Sequence, residues 1–405
     1  MALFLQRFMT PRYIGDVTPL LRVGSQRTRD FTESVIREMT RLAVRYGAVN
    51  LAQGFPDFPA PDWLKQAACD AILADVNQYS ITWGSKLLRE AIAGKYRKTY
   101  ALEVDPEREI TVCCGATEGM IAALLGLVDP GDEVLVFEPF YENYAPDTKL
   151  CGATRKLVRL HAPHWEIDER ELRRAFTSKT RAIIINTPHN PTGKVFSLAE
   201  LTLIAELCQE HDALALTDEI YEHIVYDGAR HIPIITLPGM RERTVLVNSM
   251  SKTFSVTGWR VGWVIAAPEI TATVRKVHDF LTVGAAAPLQ QASAVALNTG
   301  EDYYSRLSEE YLGRRDYLIG ILMEAGFACQ PPAGAYYVMA GIPASSSALS
   351  DREFADQLVR VPGVAVVPAS SFFENEKNSH QIRFCFCKSY DTLRESGTRL
   401  RQLAG

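Results

Sequence analysis

From residue 110 to residue 218, short apolar runs alternate with longer segments in which apolar positions recur at helical spacing. The apolar runs predict strands at residues 110–114, 133–137, 154–158, 182–185 and 213–217. Helical periodicity between them predicts helices at residues 118–128, 141–150 and 198–210. Strands that are apolar at consecutive positions are typical of a parallel sheet buried on both faces. The pattern therefore predicts an α/β fold whose mostly parallel sheet is covered by helices.

The alternation of predicted strands and helices gives way to a different order of elements after residue 287. Helical segments at residues 288–298 and 303–325 are followed by short predicted strands, which are typical of an α+β unit. We predict that residues 61–287 form a large domain and that residues 31–60 and 288–405 form a smaller α+β domain with an N-terminal arm. Residues 1–30 are then an N-terminal extension.

The amino-acid composition limits the classes of protein to which this chain can belong. The 405 residues are 47% hydrophobic and carry a net charge of -5, as expected of a globular chain long enough for two domains. This mild acidity gives no reason to expect nucleic acid or a membrane as partner. The 8 cysteines form no CxxC pair and no zinc-ligand spacing. We therefore predict no metal site and a reduced, cytoplasmic protein.

A lysine stands in a turn between two apolar strands. Residues 244–247 and 263–266 are the predicted strands, and Lys252 lies between them among small hydroxyl residues. Burial at a sheet edge would depress the pKa of its ammonium group, and such a lysine can form a Schiff base with an aldehyde. Arg260, in the same turn, carries a guanidinium suited to a phosphate. Together they indicate pyridoxal phosphate, and the alternative is a surface loop with two solvated cations.

Other polar residues lie at the ends of predicted strands, where ligands of parallel sheets bind. Ala116 and Thr117 open a helix whose free amide groups can hold a phosphate. Asp218 ends an apolar strand and could pair with a protonated pyridine nitrogen, or it could cap the segment that follows. Asn190 and Tyr221 can hydrogen-bond a ring phenolate, although Asn190 also belongs to a good turn sequence.

Three further residues are candidates for contact with a ring or a substrate. Tyr141 follows a strand and can stack on a flat ring, or simply pack in the core. Arg383 points away from the apolar face of its strand and could bind a carboxylate bidentately, the alternative being a surface salt bridge. Gly54 lies in a proline-rich extended segment, where its backbone could approach a ligand or merely connect domains.

These residues belong to motifs that resemble those of fold-type I pyridoxal-phosphate aminotransferases of the aspartate aminotransferase superfamily. The resemblance runs from about Phe31 to the C-terminus and is strongest to the group of kynurenine, glutamine and methionine aminotransferases. The motifs are Asn-Leu-Ala-Gln-Gly-Phe-Pro-Asp-Phe, Gly-Ala-Thr-Glu, Glu-Pro-Phe-Tyr, His-Asn-Pro-Thr-Gly, Asp-Glu-Ile-Tyr, Ser-Met-Ser-Lys and Gly-Trp-Arg-Val-Gly. Their occurrence in this order makes the resemblance specific.

The resemblance implies roles for the matching residues. Lys252 would form the Schiff base and move a proton, with Asp218 and Tyr221 as the other catalytic residues. The cofactor-binding residues it implies are Tyr79, Ala116, Thr117, Tyr141, Asn190, Asp218, Tyr221, Ser249, Lys252 and Arg260. The substrate-binding residues it implies are Gly54, Trp83, Asn190 and Arg383. Because Tyr79 would reach the phosphate bound to the other subunit, a homodimer with shared active sites is implied.

The resemblance also bears on the substrate. Relatives specific for dicarboxylates use an extra arginine from the partner subunit, and residues 279–287, the matching stretch, contain none. We therefore predict ping-pong transfer of the amino group from a neutral L-amino acid (aromatic, methionine-like or glutamine-like) to a 2-oxo acid. A β-lyase acting on cysteine conjugates is an alternative for the same site. A non-enzymatic regulator is a weaker alternative, because residues 1–30 are too few for the DNA-binding domain that such proteins carry.

Overall fold

The computed structural model describes residues 24–29 and 31–403. The described residues divide into two units, one that ends at Thr32 and one that begins at Glu33, and Gln26–Thr28 in the first unit form a short 3-10 turn. Most of the predicted N-terminal extension lies outside the described residues. Across the described part of the chain, no helix combines the length and the apolar character needed to cross a bilayer.

The helices and strands have the following bounds. The strands are β1 Val49–Asn50, β2 Ile110–Cys113, β3 Glu133–Glu138, β4 Thr154–His161, β5 Glu166–Ile167, β6 Thr180–Asn186, β7 Leu214–Asp218, β8 Thr244–Ser249, β9 Gly262–Ala266, β10 Ala328–Cys329, β11 Tyr337–Gly341, β12 Val364–Ala365, β13 Val367–Pro368 and β14 Gln381–Cys385. The α-helices are α1 Val35–Tyr46, α2 Asp62–Leu73, α3 Lys86–Tyr100, α4 Ala116–Leu127, α5 Tyr144–Cys151, α6 Glu169–Ala175, α7 Leu198–Glu210, α8 Pro268–Thr282, α9 Ala287–Leu297, α10 Glu301–Glu324, α11 Asp351–Arg360 and α12 Tyr390–Leu400.

The larger sheet has the strand order β2-β9-β8-β7-β6-β3-β4-β5. Strands β8, β7, β6, β3 and β4 pair in parallel. Strands β9 and β5 pair antiparallel with their neighbours and so run against the rest of the sheet. The predicted mostly parallel sheet is confirmed.

Apolar side chains hold helices against both faces of this sheet. Ile183 and Ile184 are neighbours in β6 but belong to cores on opposite faces, which is why the strand is apolar at consecutive positions. On the face of Ile184, α4 and α8 pack through Met120 and Val274. On the face of Ile183, α7 packs through Ile204. The predicted covering of the sheet by helices is confirmed.

The smaller sheet is antiparallel and has the order β10-β11-β14-β13. Phe384 of β14 shares a core with Phe354 of α11 and Leu322 of α10. Strand β1 pairs in parallel with β12, so the segment after α1 joins the C-terminal part of the chain. This pairing accords with a small domain of residues 31–60 and 288–405, although the division into domains stays a prediction.

Helices α4 and α5, next to the ends of strands β2 and β3, are among those that begin at other residues than predicted. Helix α4 begins at Ala116 rather than at residue 118, because Gly115 has φ 81° and turns the chain directly out of β2 into the helix. Helix α5 begins at Tyr144 rather than at residue 141. Tyr141 therefore lies in the loop that follows β3.

The register of the parallel strands aligns their carboxyl ends. Asn186 at the end of β6 pairs with Asp218 at the end of β7, and Asp218 pairs with Val247 near the end of β8. The loops that carry Asn190 and Lys252 start at the same edge of the sheet. Ligands of open α/β sheets bind at such an edge.

Candidate active site

A cavity of about 350 Å³ lies at this edge of the larger sheet. Residues from the ends of β7 and β8, the start of α4, the segment after β1 and the strand β14 line it. The predicted site residues in its wall are Gly54, Ala116, Thr117, Tyr141, Asn190, Asp218, Tyr221, Ser249, Lys252, Arg260 and Arg383. The fold thus brings residues from distant parts of the sequence into one site, while their individual roles stay predictions.

Lys252 reaches into the cavity from the turn after β8. Its Nζ donates a hydrogen bond to the carbonyl oxygen of Gly54 at 3.1 Å. The same nitrogen is 5.8 Å from the ring centroid of Tyr221 and 5.5 Å from that of Tyr336. Burial lowers the pKa of Lys252 to about 8, so a larger fraction is unprotonated at neutral pH than for an ordinary lysine. The side chain therefore suits nucleophilic and proton-transfer chemistry.

Asp218 is a buried carboxylate, with 7% of the residue exposed. The hydroxyl of Tyr144 donates a hydrogen bond to its Oδ2 at 2.7 Å, and the amide of Ile220 approaches Oδ1 at 3.4 Å. Burial raises the pKa of Asp218 to about 6. Among the described residues, no cationic side chain lies within ion-pair distance of this carboxylate. A buried carboxylate without a cation at ion-pair distance is suited to bind a cationic ligand.

A concave, positively charged surface forms where α4 begins. The N-terminal amide groups of α4, at Ala116 and Thr117, are not capped by the side chain of the preceding residue, which is Gly115. A Cβ atom at Gly115 would lie 2.5 Å from Nη2 of Arg260, so only glycine permits this guanidinium to approach. Ser249, at the end of β8, borders the same region. Helix amide groups beside a guanidinium can hold a phosphate.

Arg383 is fully buried in the middle of β14, with 0% exposed. Its Nη1 donates to Oδ1 of Asn190 at 2.8 Å, and its Nη2 donates to the carbonyl of Ala52 at 2.7 Å. The guanidinium lies over the rings of Tyr337 and Phe372, 4.3 and 4.7 Å from their centroids. Its Nε has no hydrogen-bond partner in the part of the chain that the structure describes. The alternative of a surface salt bridge is therefore wrong.

The backbone of Gly54 closes one side of the cavity. A Cβ atom there would lie 1.9 Å from the hydroxyl oxygen of Tyr337, so the position requires glycine. The Gly54 carbonyl accepts hydrogen bonds from Lys252 and from the hydroxyl of Tyr336 at 2.8 Å. Tyr337 and Tyr221 are joined through their hydroxyl groups at 3.0 Å. These contacts fix the wall around the lysine.

Two predicted site residues do not line this cavity. Tyr79 is 88% exposed and borders a shallow pocket formed by residues 77–80 and 283–288. Trp83 is half-buried with the guanidinium of Arg275 stacked on it, 4.9 Å from the ring centroid. Within its own chain, Trp83 therefore does not contact the site. The role of Tyr79 in the site of a partner subunit stays a prediction.

The sequence reasoning missed several residues of the site. Tyr144 lies one helical turn beyond Tyr141, but no local signal connects it with Asp218, which is 74 positions away. Ser34 and Arg37, at the start of α1, also line the cavity. A serine before an apolar helix is a recognisable helix start, yet the place of that helix in the fold cannot be derived from it.

The residues present fit pyridoxal phosphate. The buried carboxylate of Asp218 suits a pyridinium nitrogen, and Lys252 with its lowered pKa suits an aldehyde. The open start of α4 beside Arg260 suits the phosphate. All of these groups line one cavity.

Comparisons with known proteins point to one family. The family described as aminotransferase class I and II matches residues 46–399. A probable N-succinyldiaminopimelate aminotransferase DapC of Mycobacterium tuberculosis is 43% identical over 389 residues, covering 93% of this chain and 98% of that protein. The solved structure of N-succinyldiaminopimelate aminotransferase from this organism superposes with a TM-score of 0.91 at 43% identity, covering 94% of this chain and 100% of that chain.

Two further relatives carry other substrate names. The methionine aminotransferase of Escherichia coli is 38% identical over 370 residues, covering 91% of this chain and 96% of that protein. Kynurenine--oxoglutarate transaminase 1 of Homo sapiens is 36% identical over 400 residues, covering 90% of this chain and 94% of that protein. The predicted family, fold and cofactor are confirmed: the chain belongs to the aminotransferase class I and II family and is a pyridoxal-phosphate-dependent aminotransferase.

Proposed function

We propose that this aminotransferase moves the amino group of a neutral L-amino acid to a 2-oxo acid in a ping-pong reaction through Lys252. The observation that carries the proposal is the buried guanidinium of Arg383. Among residues 24–29 and 31–403, it has no carboxylate partner, and its Nε has no hydrogen-bond partner. The α-carboxylate of an amino acid bound there would pair with the guanidinium and accept a hydrogen bond from Nε. Its amino group then lies in the same cavity as Lys252.

The roles of the residues follow from their chemistry. When bound, pyridoxal phosphate supplies an aldehyde that takes up the amino group and a ring that accepts electrons. Lys252 holds the cofactor and then carries a proton at Nζ, for which its lowered pKa is suited. Asp218, oriented by the hydroxyl of Tyr144, keeps a proton on the ring nitrogen. Asn190 orients both the ring oxygen and the guanidinium of Arg383.

The preference for neutral side chains rests on the walls of the cavity. Ile36, Phe55 and Tyr141 contribute apolar surface close to Gly54. The stretch of residues 279–287 offers no arginine for a short second carboxylate. Aspartate would then lose the hydration of its side-chain carboxylate without gaining a counter-charge. We expect aspartate to react more slowly than methionine, glutamine or an aromatic donor.

A homodimer with shared sites is also proposed, on the basis of an exposed apolar patch. The patch consists of Tyr79, Ile81, Phe280, Leu281 and Val283, all of which are exposed. Solvent-facing apolar side chains in such number are typical of protein interfaces. In this arrangement Tyr79 binds the cofactor phosphate of the partner subunit. A cytoplasmic location remains part of the proposal.

A β-lyase acting on cysteine conjugates stays the alternative, because Lys252 can serve both reactions. N-succinyldiaminopimelate, which appears in the name of the Mycobacterium tuberculosis relative, is a further candidate substrate. The residues lining the cavity are compatible with each of these chemistries. Their products distinguish them.

A half-reaction screen tests the proposal. The purified holoenzyme is mixed with single amino acids without any oxo acid, and the cofactor absorbance and the products are followed. One equivalent of 2-oxo acid from a neutral donor supports the transaminase. Continued release of ammonia and pyruvate from a cysteine conjugate favours the lyase instead. Faster reaction of aspartate than of every neutral donor contradicts the substrate preference.

A further inference from the structure

We infer that Tyr337 is a positioning residue, whose hydroxyl donates a hydrogen bond to Tyr221 and so strengthens the bond that Tyr221 gives to the ring oxygen of the cofactor. Tyr337 acts through Tyr221 rather than on the reacting atoms. The inference rests on the proposed function, in which pyridoxal phosphate occupies this cavity. It gives a role to a tyrosine that is not one of the predicted site residues.

The two tyrosine hydroxyl groups meet in the wall of the cavity. Tyr221 lies three residues beyond the end of β7, and Tyr337 is the first residue of β11. Their hydroxyl oxygens are 3.0 Å apart, and their rings meet edge to face with centroids 5.9 Å apart. Both side chains are buried and both line the cavity. A hydrogen bond in such a place is stronger than one in water, because the surroundings screen it less.

The Tyr337 side chain is fixed by contacts on two sides. A Cβ atom at Gly54 would lie 1.9 Å from the Tyr337 hydroxyl oxygen, so the Gly54 backbone packs directly against this hydroxyl. Tyr337 pairs with Cys385 in the register of β11 and β14, which makes Arg383 its diagonal neighbour on the same face. The Arg383 guanidinium lies over the ring, 4.3 Å from its centroid. These contacts keep the hydroxyl directed at Tyr221.

The direction of the hydrogen bond follows from the number of protons. A tyrosine hydroxyl has one proton to donate, and its oxygen can accept. When Tyr221 donates its proton to the ring oxygen, only Tyr337 can donate in the bond between the two hydroxyls. Burial raises the pKa of both groups above its ordinary value, so both keep their protons at neutral pH. A hydroxyl that accepts a hydrogen bond becomes a stronger donor.

Other charged and titratable groups face the two tyrosines from the end of β7, the turn after β8, β11, and β14 with the residues after it. They are Asp218, Lys252, Tyr336, Arg383, Cys385 and Cys387. A variant that loses only the Tyr337 hydroxyl retains all of these groups. A change in the titration of the bound cofactor can then be assigned to that hydroxyl.

The strength of the bond to the ring oxygen should affect the Schiff base that Lys252 forms with the cofactor. A hydrogen bond to this oxygen draws negative charge away from the ring system. The nitrogen of the Schiff base then holds its proton less tightly, so its pKa is lower. Tyr337 thus helps to set the pH at which the bound cofactor loses this proton.

Tyr337→Phe tests the inference, because it removes the hydroxyl and keeps the ring beside Arg383. The measured quantity is the pKa of the Schiff base, obtained from the absorbance of the holoenzyme as a function of pH without substrate. We expect Tyr337→Phe to raise this pKa by about 0.3 to 1 pH unit, and Tyr221→Phe to raise it further. Donor affinity above both pKa values should stay within about twofold, since Arg383 keeps its stacking partner.

A double variant shows whether the effect passes through Tyr221. In a Tyr221→Phe background, Tyr337→Phe should shift the pKa by less than about 0.2 pH unit, because the hydroxyl that transmits the effect is already absent. Tyr226→Phe is the matched control. The buried Tyr226 hydroxyl donates to the carbonyl of Ala335 at 2.6 Å, outside the cavity wall. Its loss should leave the pKa within about 0.2 pH unit of the parental value.

Two results would overturn the inference. One is a Tyr337→Phe titration that coincides with that of the parent or of Tyr226→Phe. The other is a shift of equal size with and without the Tyr221 hydroxyl, since Tyr337 would then not act through Tyr221. If the parent holoenzyme shows no Schiff-base absorbance that Lys252→Ala removes, the proposed function itself fails.

Discussion

At the residue scale, the site depends on buried ionisable groups without their usual partners. Lys252 has a lowered pKa and Asp218 has a raised one. Among the described residues, Nε of Arg383 has no hydrogen-bond partner. Burying such groups costs stability unless a ligand completes them. In the proposed function, the cofactor would be the partner of Lys252 and Asp218, and the amino acid would be the partner of Arg383.

Replacement of Lys252 by alanine tests the central residue. We expect Lys252→Ala to lower the rate of amino transfer by about 10³-fold or more, because the variant lacks the group proposed to hold the cofactor and carry the proton. The fold should persist, since the substitution removes a costly buried cation. Transamination rates and circular dichroism are compared with those of Lys276→Ala, an exposed lysine on α8. A variant that transaminates at near the parental rate would show that Lys252 is not the proton carrier.

Replacement of Arg383 tests the carboxylate site. We expect Arg383→Lys to weaken binding of every donor by roughly 10- to 100-fold, because a lysine cannot reproduce the planar pair of hydrogen bonds. The effect should fall on the apparent affinity in single-turnover measurements more than on the maximal rate. Unchanged affinity for all donors would contradict the role given to Arg383.

At the scale of elements, a buried ion pair joins three segments around the site. His278 of α8 places Nδ1 3.0 Å from Oε1 of Glu118 in α4, and Nε2 2.8 Å from the carbonyl oxygen of Thr82. A carboxylate oxygen and a carbonyl oxygen both accept hydrogen bonds, so this geometry favours the imidazolium, which donates from both ring nitrogens. Glu118 also accepts a hydrogen bond from the amide of Cys114, next to the turn at Gly115 where α4 begins. The pair therefore connects α4, α8 and the segment that leads to Tyr79.

This geometry predicts how stability depends on pH. Burial disfavours the imidazolium of His278, but Glu118 and the Thr82 carbonyl outweigh it and raise its pKa. The stabilisation is then complete below the unfolded-state pKa of about 6.5 and is lost as pH rises through the folded-state pKa. We expect His278→Gln to destabilise the fold by roughly 2–4 kcal/mol near pH 6 and by less at alkaline pH.

Thermal unfolding midpoints at several pH values measure this difference. His161→Gln serves as control, because the pair of His161 with Glu171 is exposed to solvent and should contribute little at any pH. A gap between parent and His278→Gln that widens as the pH rises would contradict the assignment.

At the scale of the whole molecule, the proposed homodimer would complete the site through the exposed apolar patch. Phe280 is 92% exposed in a single chain, and Tyr79 lies on the same patch. If a second copy covers the patch, Tyr79 enters the partner's cofactor site. Assembly and cofactor binding then depend on each other.

Two substitutions separate assembly from cofactor binding. Phe280→Glu places a charge in the interface, so we expect a monomer by sedimentation and weak retention of pyridoxal phosphate. Tyr79→Phe removes one hydrogen bond, so we expect a dimer that binds the cofactor about tenfold more weakly. Val361→Glu, at an exposed position outside the patch, is the control and should change neither. A Phe280→Glu protein that sediments as a dimer would contradict the proposed interface.

The sequence by itself determined the class of the fold and most of the cofactor site. Apolar runs separated by helical periodicity specify a parallel sheet because both of its faces must be buried. The chemistry of Lys252, Asp218 and Ala116 could be predicted because each lies at a strand end or helix start, and the carboxyl ends of parallel strands meet at one edge. These signals are local, so they can be recognised in a single sequence.

Only the tertiary structure decided which distant residues complete the site. Arg383 meets Asn190 across 193 positions, and its burial excludes the surface salt bridge that the strand pattern had left open. The hydrogen bond from Tyr144 to Asp218 and the place of Arg37 in the cavity wall likewise depend on how separate elements pack together. Trp83 lies outside the cavity of its own chain. Periodicity fixes which face of an element is apolar but not which other element it meets. That choice depends on packing and on the pairing of strands far apart in the chain.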